Sequence, residues 1–234
     1  MREGAGKALL FRFRNWAGAG PALFYPLHAL RHPGDSRVVR EDTEIVIEGF
    51  PRSGNSFAVA AFELAQARPV RMADHLHVPA QILRAGAYKR PAFLLIREPG
   101  PAVRSLCVRF PYLTVAEALR SYYRFYARCL PFSESFVTLP FETLVSDFGG
   151  AIERLNQKFG TTFTPFSHTE ENLNRVRKTL EERNASLGGN VLSSYLPNPV
   201  KEKAKAFIDL GPFVDDLKPC EELYVRYLER AGEI

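Results

Sequence analysis

Glu44-Ile45-Val46-Ile47-Glu48-Gly49-Phe50-Pro51-Arg52-Ser53-Gly54-Asn55-Ser56-Phe57 decides how this chain is read. A β-branched run ends at Gly49, a short Pro/Ser/Gly loop follows, and an apolar helical pattern then begins. In such a strand–loop–helix the backbone N–H groups at the helix N-terminus hold an anion. Gly49 and Gly54 have the spacing of the glycines in a phosphate-binding loop. Asn55 stands where a nucleoside triphosphatase carries Lys, and the basic residue sits inside the loop as Arg52. A phosphate site built from Arg52, Ser53, Gly54, Asn55, Ser56 and Phe57 is expected, and an ATPase is not.

Working outward, residues 43–49 read as a strand and a helix runs from about 55 to 67, carrying Phe57, Ala61, Phe62 and Leu64. A short strand is expected at 70–73. Ala92–Ile96 is apolar throughout, as in a strand covered on both faces of a parallel sheet. A helix starts near Pro99, since Pro is tolerated in the first turn. Thr114-Val115-Ala116-Glu117 is a capping box opening a helix through Leu119, Tyr122, Tyr123 and Tyr126. Residues 136–139 form another strand. Asp147 caps a helix with Ile152, Leu155 and Phe159 on one face, stopped by Gly160. Residues 170–199 are polar and loop-like at their end, and Leu223, Tyr227, Leu228 and Ala231 stripe a last helix. The alternation predicts an α/β fold of three layers, a central parallel sheet flanked by helices. It occupies residues 43–234, after an N-terminal arm (1–42) rich in Gly, Pro and Arg.

The 234 residues suit one domain with an appended arm. The net charge of +5 favours an anionic ligand. No aromatic-interleaved basic stretch, zinc-ligand spacing or recognition helix argues for nucleic acid. Cys107, Cys129 and Cys220 share no metal-ligand spacing and read as free thiols in a reducing compartment. In the arm, Arg12 and Arg14 interrupt the apolar Ala8-Leu9-Leu10-Phe11 too soon for a signal peptide or membrane span. Trp16, Phe24, Tyr25 and Leu27 cover a hydrophobic surface of the domain or touch a membrane; packing is the preferred reading, and a cytoplasmic protein is expected.

A second motif begins at Arg97, which ends the apolar strand. Ser105 follows eight positions on, about two turns into the next helix. An Arg fork and a nearby hydroxyl can converge on one phosphate. With the Pro51-Arg52-Ser53-Gly54 loop, this pair resembles the two phosphate-binding motifs of sulfotransferases that use 3′-phosphoadenosine 5′-phosphosulfate (PAPS). His77-Val78-Pro79-Ala80-Gln81-Ile82-Leu83 is similar to that family's His-Leu-Pro segment with its following Gln-Leu-Leu. Leu139-Pro140-Phe141-Glu142-Thr143-Leu144 is similar to its Tyr-Glu-Asp-Leu segment, with Phe141 for Tyr. Arg183-Asn184-Ala185-Ser186-Leu187-Gly188 keeps only half of its C-terminal glycine-rich loop, with Val191 in the place of a Lys. The resemblance covers residues 44–160.

The resemblance implies a PAPS-dependent transferase in which the loop holds the 5′-phosphosulfate. Arg97 and Ser105 hold the 3′-phosphate, with Arg183 as a further contact. His77 is then the base that takes the proton of a hydroxyl acceptor, a small molecule or carbohydrate; His75, two residues away, is the reserve. Arg52 stabilises charge on the sulfuryl and bridging oxygens, and no metal is required. A base with an ordinary imidazole pKa, about 6.5, gives a rate that rises through that region. Two other classes stay open: a P-loop kinase or NTPase, and a nucleotide-binding protein without catalysis.

Overall fold

The computed structural model describes residues 2–232. Helices α1 (Arg2–Ala17) and α2 (Pro21–Arg31) precede β1 (Ile45–Gly49), α3 (Asn55–Ala65), β2 (Met72–Asp74) and α4 (Pro79–Ala87). Then come β3 (Ala92–Ile96), α5 (Pro99–Arg109), α6 (Val115–Cys129), β4 (Val137–Pro140), α7 (Phe141–Ser146) and α8 (Phe148–Phe159). The chain closes with α9 (Glu170–Ser186), α10 (Pro199–Ala206) and α11 (Val214–Ala231).

The strands form one parallel sheet in the order β2-β1-β3-β4. Successive strand residues point to opposite faces, and both faces are apolar. Val46, Leu94 and Ile96 enter one core with side chains of α4, α5, α6 and α11. Ile45, Ile47, Phe93 and Leu95 enter another with α3, α8 and α9. Each such side chain contributes about 1.5–3 kcal/mol on full burial, which is why these runs read as continuously apolar rather than alternating. The fold is therefore the expected three-layer α/β arrangement, a parallel sheet between helices.

Local signals act as read. Thr114 and Glu117 make both halves of the capping box on α6, Thr114 N–H donating to Glu117 Oε2 at 3.0 Å. Asp147 Oδ1 accepts from Gly150 N–H at 3.0 Å and starts α8, which Gly160 ends at φ +65°. Two boundaries differ. The strand expected at 70–73 lies at Met72–Asp74, because its register on β1 pairs Ile45 with Met72 and Ile47 with Asp74. Residues 170–186, expected to be polar, form the full helix α9, capped by Thr169. Only Val176 and Leu180 of α9 are fully buried, so its apolar stripe is too thin to stand out in the sequence.

Most of the N-terminal segment is helical, as α1 and α2. Phe24 and Tyr25 are buried in the core beneath α4, Leu27 is half-buried and Trp16 is 62% exposed. Gln81, fully buried on α4, ties this segment down. Its side-chain oxygen accepts from Tyr25 Oη (2.6 Å) and Val39 N–H (3.0 Å), and its amide donates to Arg37 O (2.7 Å). Among the described residues, no helix is long and apolar enough to cross a membrane. All three cysteines are buried free thiols.

Candidate active site

β1 ends where the loop must turn. A side chain at Gly49 would place its Cβ 2.5 Å from Leu95 O on β3, so only glycine fits. Arg52 takes the left-handed conformation (φ +74°), as does Gly54 (φ +95°), where a Cβ would lie 2.6 Å from Leu144 Cδ2. Asn55 Nδ2 donates to Phe50 O at 3.1 Å and closes the loop on itself. Tyr126 Oη donates to Leu95 O at 2.8 Å, so Ser53 Oγ, 3.2 Å away, donates to Tyr126. The N–H groups of Asn55, Ser56 and Phe57 lie in the first turn of α3, where they have no acceptor inside the helix. They aim the positive end of the helix dipole at the loop.

Two arginines and a lysine meet there. Arg52 Nε donates to Ser105 Oγ at 3.0 Å and its Nη2 to Ser194 O at 3.3 Å. Arg97 Nη1 donates to Arg52 O at 3.3 Å, and its guanidinium lies 4.1 Å over the Phe141 ring. Burial, with help from Arg109 and Arg97, pushes Arg52 down to about 10, which leaves it charged at neutral pH. Lys201 on α10 is 3% exposed. Its Nζ donates to Ser194 O (2.8 Å) and Leu196 O (3.3 Å), and burial, followed by Arg52 and Lys205, pushes it down to about 7.

The histidines are held by a buried acid. Glu48, on β1 and fully buried, accepts Leu76 N–H at 2.6 Å, His77 N–H at 2.9 Å and Gly49 N–H at 3.3 Å. Burial pushes its carboxyl up to about 7 against those donors. The bonds fix a backbone that needs fixing, since His75 (φ +53°) and His77 (φ +50°) are both left-handed. With Arg52, they make three of the four non-glycine residues found at positive φ among the described residues, and such strain persists where the surroundings over-determine it.

The two rings differ in what they have left to offer. His75 Nδ1 pairs with Asp74 Oδ1 at 2.6 Å and its Nε2 lies 3.1 Å from Ser56 Oγ, so both nitrogens are engaged. His77 Nδ1 lies 2.9 Å from Gly49 O. A carbonyl only accepts, so Nδ1 carries the proton and Nε2 is a lone-pair acceptor. Burial, then His75, pushes the His77 imidazolium down to about 3; the Gly49 bond opposes this, while Arg14 and Arg52 add to it. The ring is neutral at every ordinary pH, which corrects the expectation of titration near 6.5.

A cavity of about 860 Å³ joins these groups. Arg52, Gly54, Asn55, Ser56, Phe57, His77, Arg97 and Ser105 all line it, as does His75. Ser53 does not, because its hydroxyl turns inward to Tyr126. Nor does Arg183: α9 runs on to Ser186 and places Arg183 against α3, where it pairs with Glu63. Among the described residues, eight lysines and arginines line the cavity against one carboxylate, Glu202. Sequence reading missed Lys201, Arg109 and Arg14, which no local pattern marks, and Glu48, which one did: an acid inside an otherwise apolar strand. Among the described residues no cluster of three or more His, Cys, Asp or Glu is arranged to hold a metal.

No protein-family model matches the chain, and no curated protein sequence matches it. Among solved structures the chain is similar to mouse sulfotransferase SULT7A1 complexed with PAP. The identity is 13%, over 85% of this chain and 87% of that chain, with a TM-score of 0.43. The functional reading therefore rests on this chain's own side chains.

Proposed function

We propose that this protein transfers a sulfuryl group from PAPS to a hydroxyl acceptor. The observation that carries this reading is the convergence of three arrangements in one cavity: the Arg52 loop at the start of α3, Arg97 and Ser105, each hydrogen-bonded to Arg52, and a neutral His77 with a free Nε2. The donor set fits such a nucleotide. It is rich in fixed cations and backbone N–H groups, and a single carboxylate opposes an anion.

PAPS supplies the sulfuryl group and leaves as 3′-phosphoadenosine 5′-phosphate (PAP). The protein's part is positioning and charge stabilisation, as in phosphoryl transfer. Arg97 and Ser105 receive the 3′-phosphate, which separates this nucleotide from ATP or ADP. Phe141, held between Arg97 and Gly54, offers a flat surface beside it. Arg52 and the first N–H groups of α3 stabilise negative charge at the transferring group and its leaving oxygen. His77 Nε2 takes the acceptor's proton. Arg52 acts by charge alone, since a guanidinium keeps its proton at neutral pH.

The test is a thermal-shift comparison of nucleotides. A ligand that binds only the folded state raises the melting temperature with its occupancy. PAP should raise it clearly more than ADP or AMP at equal concentration. Equal shifts with and without the 3′-phosphate would overturn the assignment.

A further inference from the structure

The cavity is lined by more than the loop, Arg97, Lys201 and the histidines. Helix α1 contributes Lys7, Leu10, Phe11, Arg14 and Asn15 to its wall, and the end of α5 with the turn after it contributes Arg109, Phe110 and Tyr112. On the function proposed above, the acceptor lies in this same cavity, because His77 has to reach its hydroxyl.

Its chemistry is uneven. Four of these eight side chains are apolar or aromatic, and three, Lys7, Arg14 and Arg109, are cations. Arg109 ends α5 beside the Phe110 ring, 5.8 Å from guanidinium to ring centre, and has no carboxylate partner among the described residues. Arg14 gives one nitrogen to Leu76 O and lies in the field of His77. Lys7, Arg14 and Arg109 all line the cavity and all act on the Tyr112 hydroxyl. Among the described residues the one carboxylate that lines the cavity, Glu202, is on α10, beside Lys201 in sequence. Glu48, buried behind the wall, acts on Arg14, but Arg109 has no such acid, and arginines lining one cavity with so little carboxylate suit an anion brought in by a ligand.

We infer that the acceptor is itself an anion: a hydroxyl compound with an apolar or aromatic body and an acidic group, the acid received by Arg109 and Arg14 and the body by Leu10, Phe11, Phe110 and Tyr112. A neutral phenol would fill the apolar part and leave the arginines unanswered.

The probes are para-hydroxyphenylpropionate and its amide, which differ in charge but hardly in shape. PAP binding to the parent protein is measured first by thermal shift. Binding of each probe to the protein–PAP complex is then measured by calorimetry, and transfer to each from PAPS by product formation. The acid should bind at least about tenfold tighter than the amide and be the better acceptor, the margin typical of one charge-assisted contact. Arg109→Gln and Arg14→Gln should each shrink that preference, with the PAP shift of Arg109→Gln equal to the parent's. Equal use of acid and amide by a parent that binds PAP would overturn the inference and leave the proposed function standing. Loss of PAP binding in Arg109→Gln would assign that residue to the nucleotide and overturn it likewise. Absence of any PAP shift in the parent would overturn both.

Discussion

The Nδ1 of His77 lies 2.9 Å from the carbonyl oxygen of Gly49, the residue at which β1 ends and the loop begins. One bond thus decides which nitrogen of the ring is basic, and it ties that choice to the loop holding Arg52. His75, 5.8 Å away ring to ring, has no such freedom, because both its nitrogens are engaged.

His77→Ala should therefore remove acceptor-dependent turnover by about 100- to 10,000-fold, the usual worth of a general base. His75→Ala should keep much of it. With His77 held near 3, it is already deprotonated across the working range, and the rate should show no inflection near pH 6.5 from this residue. A pH–rate profile with a non-titrating acceptor checks this. A sigmoid centred near 6.5 that vanishes in His77→Ala would contradict the burial argument, and full activity in both variants would remove histidine from the mechanism.

The sheet was legible because burial on both faces writes itself into composition: Ile45–Gly49 and Ala92–Ile96 can be little else. That the loop, Arg97 and Ser105 come to one cavity could be anticipated because their spacing is local, a strand end followed by a helix start. Arg183 was misplaced for the complementary reason. Nothing near it says that α9 continues as helix, and a helix fixes direction where a loop would not. Lys201, Arg109 and Arg14 reach the cavity through tertiary packing of α10, α5 and α1, which no window of sequence contains. Glu48 stood in plain view, but its partners Leu76 and His77 lie 28 and 29 positions away.

Arg97→Ala should erase most of the preference for PAP over ADP while leaving the fold intact. The residue is half-exposed, and its loss removes a charge-assisted contact worth about 1.5–3 kcal/mol. Arg52→Ala should retain nucleotide binding and lose about 100- to 1,000-fold in rate, as when one oxyanion contact is removed. Melting temperatures with each nucleotide, read beside single-turnover rates, separate the two roles. An Arg52→Ala protein that turns over like the parent would make the loop structural.

Glu48→Ala should destabilise the protein, because it strands the buried N–H groups of Leu76 and His77, at about 1–3 kcal/mol for each. Glu48→Gln, which keeps an acceptor oxygen, should cost less. The carboxyl also sets a pH dependence. Its folded pKa, about 7, lies above the unfolded value near 4.5. Between those values the folded state holds a proton that the unfolded state has released, so stability falls as pH rises from about 4.5 to 7 and then levels off. The fall should be on the order of a few kcal/mol and should be missing from Glu48→Gln. Parallel pH slopes in parent and variant would show that the acid is ionised throughout.

Lys201 should make nucleotide binding proton-linked. In the unliganded protein burial brings its ammonium down to about 7, and two of its three N–H groups are committed to Ser194 O and Leu196 O. A polyanion in the cavity favours the charged form and raises that pKa. Above pH 7 the free protein has lost a proton that the complex retains, so binding takes one up. Affinity for PAP should then weaken as pH rises past 7, approaching tenfold per pH unit until the pKa of the complex is reached. Below about pH 6 Lys201 is charged in both states, and its share of the dependence should vanish, leaving only that of the phosphates of PAP itself. Calorimetry in two buffers of different ionisation enthalpy at pH 8 reads the proton directly. Lys201→Gln keeps a donor for Ser194 O but cannot titrate; it should bind PAP more weakly at pH 6 and show the same enthalpy in both buffers. A variant that takes up as many protons as the parent would place the linkage on another group of the cavity.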